Sequence, residues 1–405
     1  MRNRYILLSL LLALSVPSWG QSLEECLDFA MKNSLRIQRT NLSAERASTL
    51  EKTAYDVGKT ELSLAQDPTS GGSPDNALTL SQEFEFPSVY SGRRKLLEAG
   101  TQVEQTRRLL TESELRRDVS SAYCDLLLKS HLVELLKQNA LVLEEFVNIA
   151  QARFDAGESG KLETINALQM KAANEIRLRE ATDDRREASL MLRVLMNSEK
   201  EIEPTDGYIC VMEDDGEYSF GSTPEGLLLD KELDLSERNL SLTRREGFLP
   251  TFNVGVRQQL VISGLNPYNI DRSAFDKGNW MGFEVGVALP LFFGPQKRKV
   301  AAARLEMEML KTDMAEKQNV AMARLSVASD KLSTARETYR YYSEEALPQA
   351  EEQRRLSALE YSSGNIGYVD YIQNINVVLE TEMAGARAAD ELNQAIIEMN
   401  FIKGN

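Results

Sequence analysis

An internal duplication constrains this chain more than any other feature. Residues 153–167 read RFDAGESGKLETINA, and residues 360–374 read EYSSGNIGYVDYIQN. Aligned without a gap, Phe154 meets Tyr361, Gly157 meets Gly364, Gly160 meets Gly367, Glu163 meets Asp370 and Ile165 meets Ile372. A second pair lies upstream, FPSVYSGRRK at 86–95 and LPLFFGPQKR at 289–298, with a basic cluster after each aromatic. The same features in the same order mean one structural unit used twice. We read a first repeat over 21–200 and a second over 226–405. Between them, 201–225 reads as an irregular connector, with Pro204, Gly207, Gly216, Gly221 and Pro224 among acidic residues.

Each copy contains very long helices. From Arg93 to Ala156 there is no proline and one glycine, Gly100. Leu115, Val119, Ala122, Leu126, Lys129, Val133, Leu136, Ala140, Leu143, Val147 and Ala150 step alternately by four and three, and only Lys129 breaks the apolar seam. A period of 3.5 sustained this far predicts coiled-coil packing. About 60 helical residues would extend roughly 90 Å. The second copy offers a similar stretch from Gln296 to Tyr361, interrupted by Pro348. Helices resume over 161–197 and 367–402, so tips near 157–160 and 364–367 join antiparallel partners. Glycine suits these turns because it accepts positive φ.

Upstream of each long helix the pattern switches to a period of two. Leu78, Leu80, Phe84 and Phe86 alternate with Thr79, Ser81, Glu83 and Glu85, and Met281, Phe283, Val285 and Val287 alternate with small or polar residues. Phe252, Val254 and Val256 form a third strand, and Leu62 and Leu64 a shorter fourth. This predicts β-hairpins at about 60–87 and 250–291. Such alternation also occurs in half-buried soluble sheets. Strands of roughly 8–10 residues suit a tilted membrane crossing. On that reading Leu78, Leu80, Phe84, Phe86, Phe252, Val254, Val256, Phe283, Val285 and Val287 face lipid. Tyr90, Trp280, Phe292 and Phe293 then fall near the strand ends, where interfacial aromatics belong. Two hairpins cannot close a barrel, so an edge-free wall needs several chains.

The N-terminus reads as a cleaved secretory signal over residues 1–20. Arg2 and Arg4 precede an apolar run from Tyr5 to Val16, too short to span a membrane. Glu24 and Glu25 before Cys26 argue against lipidation. Cys26, Cys124 and Cys210 are far apart and odd in number, suggesting packed small groups rather than a disulfide framework or metal knuckle. A net charge of −15 disfavours nucleic acid as a partner. With one histidine, His131, and no Gly-rich phosphate loop after a strand, no catalytic constellation assembles, and neither enzyme chemistry nor a cofactor is expected. Met307, Met309, Met314 and Met322 share one helix at spacings that usually mean packing.

Three stretches, QEFEFPSVYSGRRKLLEAG, RFDAGESGKLETINALQM and LPQAEEQRRLSALEYSSGNIGYVDYIQNINVVLE, resemble the TolC-like outer-membrane efflux family. The resemblance spans nearly all the chain after the leader. It implies a mainly α fold with a small β part. Three protomers would give four strands each to a twelve-stranded outer-membrane β-barrel, and their helices would form a periplasmic α-barrel. It also implies a homotrimer in outer-membrane lipid, a periplasmic adaptor and an inner-membrane RND-type pump. Asp370 matches the family's first gate carboxylate, and Gln373 stands where many relatives place a second acid. Tyr361 keeps the family's aromatic, whereas Ile366 replaces a basic gate-locking residue. The tips at Gly157, Gly160, Gly364 and Gly367 would dock the adaptor. The motifs look closest to channels of heavy-metal RND systems. A periplasmic coiled-coil adaptor or scaffold, and the exit duct of a type I secretion system, remain open alternatives. Asp370 reads equally as a helix N-cap.

Overall fold

The computed structural model describes residues 19–68, 74–213, 216–260 and 280–404. The first half of the chain contains β1 (Trp19–Gln21), α1 (Leu23–Asn33), α2 (Leu35–Glu51), β2 (Glu61–Pro68), β3 (Pro74–Glu85), α3 (Pro87–Asp155) and α4 (Lys161–Met196). There follow β4 (Ile202–Pro204), α5 (Pro224–Phe248), β5 (Thr251–Leu260), β6 (Trp280–Ala288), α6 (Phe293–Tyr341), a π turn (Tyr342–Ala346), α7 (Leu347–Ser362) and α8 (Tyr368–Lys403). The expected leader lies outside the described residues as far as residue 18. Trp19 and Gly20 pair in parallel with Ile202 and Glu203.

The chain divides into two compact units, and each draws on both halves of the sequence. One comprises Met1–Arg39, Leu109–Thr223 and Asn319–Asn405, the other Thr40–Arg108 and Pro224–Gln318.

The first unit is built on antiparallel helix seams. Leu115 and Val119 of α3 pack in one cluster with Leu192 and Met196 of α4. Further along, Asn139 donates to Asn174 across 2.8 Å, and the Thr164 hydroxyl reaches the Ala150 carbonyl at 3.4 Å. Of the heptad positions, Leu115, Val119, Leu126, Val133, Leu136, Leu143 and Ala150 are buried. Lys129 is tolerated because it stays half-buried, with its ammonium 2.8 Å from Asp125. α8 runs back along α6 and α7, with Ala328, Leu332 and Ala335 against Leu392, Ile396 and Met399. The apolar interior is therefore a file of clusters along the seams rather than one centre.

Pro348 explains the break between α6 and α7. A proline inside a helix removes a backbone donor and crowds the carbonyl four residues back. The chain absorbs this with the π turn just before it. There α8 comes close: a Cβ on Gly385 would lie 3.1 Å from Leu347 Cδ1, so a larger residue would oblige the leucine side chain to shift.

Residues 208–213 of the connector are held against this unit. Asn393, buried in α8, donates to the Tyr208 carbonyl at 2.8 Å and accepts from the Cys210 amide at 3.2 Å. Asn400 donates to the Met212 carbonyl at 2.8 Å, and Arg336 pairs with Glu213. His131 stacks on the Tyr208 ring with centroids 4.2 Å apart, an ordinary packing role.

The second unit holds an antiparallel sheet in the order β2-β3-β5-β6. The strands are longer than the alternation predicts, since β3 begins at Pro74 and β2 continues to Pro68. The segments joining β2 to β3 and β5 to β6, 69–73 and 261–279, lie outside the described residues. One expectation is corrected. Phe86 is not a strand residue, because Pro87 opens α3 directly behind it and ends the strand at Glu85. Its ring instead rests 6.1 Å from that of Phe252.

Within α8, burial raises the pKa of the Asp390 carboxyl above its ordinary value of 3.8, a hydrogen bond from Gln394 opposing the shift only in part. The folded state therefore favours the neutral acid. That contribution to stability is fully present below the ordinary value and is lost as pH rises through the folded one. Asp390→Asn, neutral throughout, should melt higher than the parent at pH 8 and show a much smaller difference near pH 4. Thermal denaturation at both pH values checks this, and an equal difference at both would refute it.

Candidate functional site

The two helical tips repeat one backbone design. Gly157 and Gly364 both adopt left-handed backbone, with φ of 75° and 76°. Their amides donate to Phe154 and Tyr361, while Glu158 and Asn365 donate to the carbonyls of Arg153 and Glu360, each at 2.9 Å. Gly160 and Gly367 differ from the sequence expectation. Both are extended N-caps, with φ of −84° and −74°, and do not need positive φ. Gly157, Gly160 and Gly364 have open space around them, whereas a Cβ on Gly367 would meet an Asp370 carboxylate oxygen at 3.6 Å.

Asp370 is not the N-cap, which is Gly367; it lies three residues into α8, and Glu163 holds the same position in α4. Carboxylates in a first helical turn are favoured by the helix dipole and by free backbone amides. Glu163 is pinned by Arg153 at 3.4 Å. Asp370 is exposed.

One aromatic stack joins the two tips and another closes the second tip on itself. Phe146 of α3 stacks on Tyr368 of α8 at 4.5 Å and 9°, and Tyr361 of α7 stacks on Tyr371 of α8 at 4.5 Å and 12°. Ile372 is buried among Leu143, Phe146, Ala150 and Ala167. Along this contact runs an open groove lined by Arg153, Glu163, Tyr361, Ile366 and Asp370. The Tyr361 hydroxyl turns inward beside Arg153 without reaching good hydrogen-bond geometry. With Glu163, it holds the guanidinium further above its usual pKa.

Three of the four predicted gate residues thus share one groove. Gln373 is the exception, lying one helical turn further along α8 in a separate groove beside Gln353 and Asn376. Arg153 was not singled out from the sequence, although it opens the RFDAG motif; only the fold brings it to Tyr361. Among the described residues no three His, Cys, Asp or Glu side chains gather as a metal-binding cluster. Met309 and Met322 are exposed while Met307 and Met314 are half-buried, so the four methionines do not share one environment.

The sheet of the second unit has two contrasting faces. Direct cross-strand partners point the same way, so the register sets Leu80, Val256 and Phe283 in one row and Phe84, Phe252 and Val287 in another. Leu62, Leu64, Leu78, Val254, Met281 and Val285 share that face. Gln82 and Gln258 interrupt it. The opposite face carries Ser63, Thr79, Ser81, Glu83, Asn253, Arg257 and Glu284. Ten of these apolar side chains are exposed, Phe283 by 86% and Met281 by 74%. Among the described residues the outer strands β2 and β6 are each paired on one side only. At the sheet's end, Tyr55 stacks with Tyr90, and Phe248 with Phe293. No helix among the described residues is long and apolar enough to cross a membrane.

No protein-family model matches the sequence, and neither does any curated protein sequence. Solved structures do match. The Campylobacter jejuni CmeC outer membrane channel superposes with a TM-score of 0.76 at 14% identity, covering 94% of this chain and 85% of that one. CusC, known from structures that follow its folding and transmembrane channel formation, gives 0.78 at 12% identity over 95% and 93%. The open state of the Neisseria gonorrhoeae MtrE outer membrane channel gives 0.76 at 15% identity over 95% and 89%. The chain has the fold of the TolC-like outer-membrane efflux channels.

The stacked tips generate a direct test. Phe146→Ala removes a buried ring and its stack on Tyr368, at a cost of about 3–5 kcal/mol. Hydrogen exchange should quicken at both tips, in 143–167 and 364–375 alike. Acceleration confined to α3 would mean that the stack does not couple them.

Proposed function

We propose that this chain is the outer-membrane channel of a tripartite efflux system, conducting small toxic solutes passively outward. The observation that carries the reading is the sheet. An exposed apolar face, a polar reverse face and two singly paired edges in one chain suit a wall section of a multi-chain membrane barrel. The fold shared with outer-membrane channels supports it. A periplasmic scaffold would have no use for such a face.

On this reading residues 1–20 form a signal peptide, 21–200 and 226–405 are the two repeats, and 201–225 is the connector. Three copies place four strands each in a twelve-stranded barrel, with Leu78, Leu80, Phe84, Phe252, Val254, Val256, Phe283, Val285 and Val287 toward lipid. The helices form a periplasmic tunnel whose entrance is made by the tips. The open space around Gly157, Gly160 and Gly364 suits docking of an adaptor, through which an RND-type pump delivers solute. The four strands, the tunnel and the tips imply no cofactor.

Three exposed Asp370 carboxylates around one axis would repel one another and attract cations. Gln373 adds a second, neutral ring. With Ile366 unable to supply a basic lock, Arg153 takes over the positive charge at the entrance from the neighbouring tip, beside Tyr361. Metal cations are the solute class we favour, on the sequence motifs that resemble channels of heavy-metal systems.

Two measurements test this. The purified protein in a planar bilayer should give discrete, cation-preferring conductance, and Asp370→Ala should lose much of that preference. Unchanged selectivity would remove Asp370 from the gate; a water-soluble monomer would sink the channel. Separately, Val256→Arg puts a charge on the lipid side at a cost of about 2–4 kcal/mol if it lies near mid-bilayer. Outer-membrane assembly should fall sharply, whereas Arg257→Ala on the reverse face should leave it intact.

A further inference from the structure

We propose that Cys124 and Cys210 form a disulfide that fastens the connector to α3. Their sulfurs lie 3.1 Å apart, across 86 positions of sequence. Cys124 is buried in α3, and Cys210 is half-buried in the connector. The approach is imposed from outside the pair. Asn393 grips the connector on either side of Ile209, at the Tyr208 carbonyl and the Cys210 amide just before the Cys210 side chain, and the Tyr208 ring is stacked on His131. Because the backbone is already held, the sulfurs need only close by about 1 Å to reach the bonded distance.

The third thiol does not compete. Cys26 is fully buried in α1, and burial, with Glu25 and Asp206 nearby, pushes its pKa up to about 12, leaving it without a reactive thiolate at neutral pH. An odd cysteine count thus resolves into one pair and one inert core residue.

The chemistry is thiol–disulfide exchange with an external disulfide donor, such as a disulfide oxidoreductase of an oxidising compartment. The thiolate of Cys210, the more accessible sulfur, attacks the donor disulfide; a mixed disulfide forms and one donor thiolate leaves. Cys124 then loses its proton and attacks the Cys210 sulfur, expelling the second donor thiolate. Two protons and two electrons leave the protein, and the donor departs as its dithiol. The contact with Cys210 and burial keep the Cys124 thiol protonated at rest, so exchange starts at the connector.

The proposal rests on export only for the source of its oxidant. The test is thiol counting on the full chain, trapped with a maleimide after denaturation without reductant. Protein isolated from cells should expose one reactive thiol, Cys26, rising to three after reduction, with a cross-linked peptide pair containing Cys124 and Cys210. Cys26→Ser should retain the cross-link, whereas Cys124→Ser and Cys210→Ser should each abolish it. Reduced, folded protein incubated with oxidised glutathione supplies the independent arm. Formation of the bond there, with free thiols in protein from cells, would uphold the pairing and count against export. Three free thiols, or glutathione retained on Cys210, after that incubation would overturn the pairing itself.

Discussion

The four-stranded sheet joins an exposed apolar face to two edges without a further strand among the described residues. An unpaired backbone amide or carbonyl is tolerable in water and costs several kcal/mol in hydrocarbon. Here the outer strands are paired on one side only, while the face they help to form is apolar and exposed. These two properties conflict in any monomeric setting. In water the apolar face is a liability, and in lipid the edges are. On the proposed reading both would resolve together if copies met edge to edge inside a membrane, each bringing two hairpins.

The helical tips show what duplication preserves and what it releases. Backbone geometry is kept almost unchanged, because a left-handed glycine and an extended N-cap are steric necessities of this turn. Side chains have diverged around it. The first tip has an arginine paired with the glutamate of the returning helix; the second offers a tyrosine stack and an exposed aspartate. Charge of both signs and a ring plane are thereby gathered in one groove from two copies of a single motif.

Much of this was legible in the sequence because it is periodic. The 3.5-residue seam identifies buried positions such as Leu115, Val119 and Leu126, and strict alternation identifies the apolar face of β3, β5 and β6. What escaped was non-periodic. Arg153 reaches Tyr361 only because two tips far apart in the chain are brought together. The partnership of Cys124 and Cys210 depends on where an irregular connector lies, and no local pattern encodes that. Phe86 continued the alternation but stands before a proline that opens a helix, so local backbone chemistry overrode the pattern. Asn139 and Asn174 look like errors in an apolar seam until each is seen to satisfy the other.

The π turn ahead of Pro348 breaks the equivalence of the two repeats. Along α6 and α7 the inward positions run 335, 339, 342, 346, 350, 353 and 357, with two successive steps of four where the first repeat alternates without interruption to Ala150. The π turn takes up this additional four-residue step, so that α7 keeps its apolar positions inward in continuity with those of α6. The second hairpin therefore reaches its tip with a shift of heptad register that the first does not have.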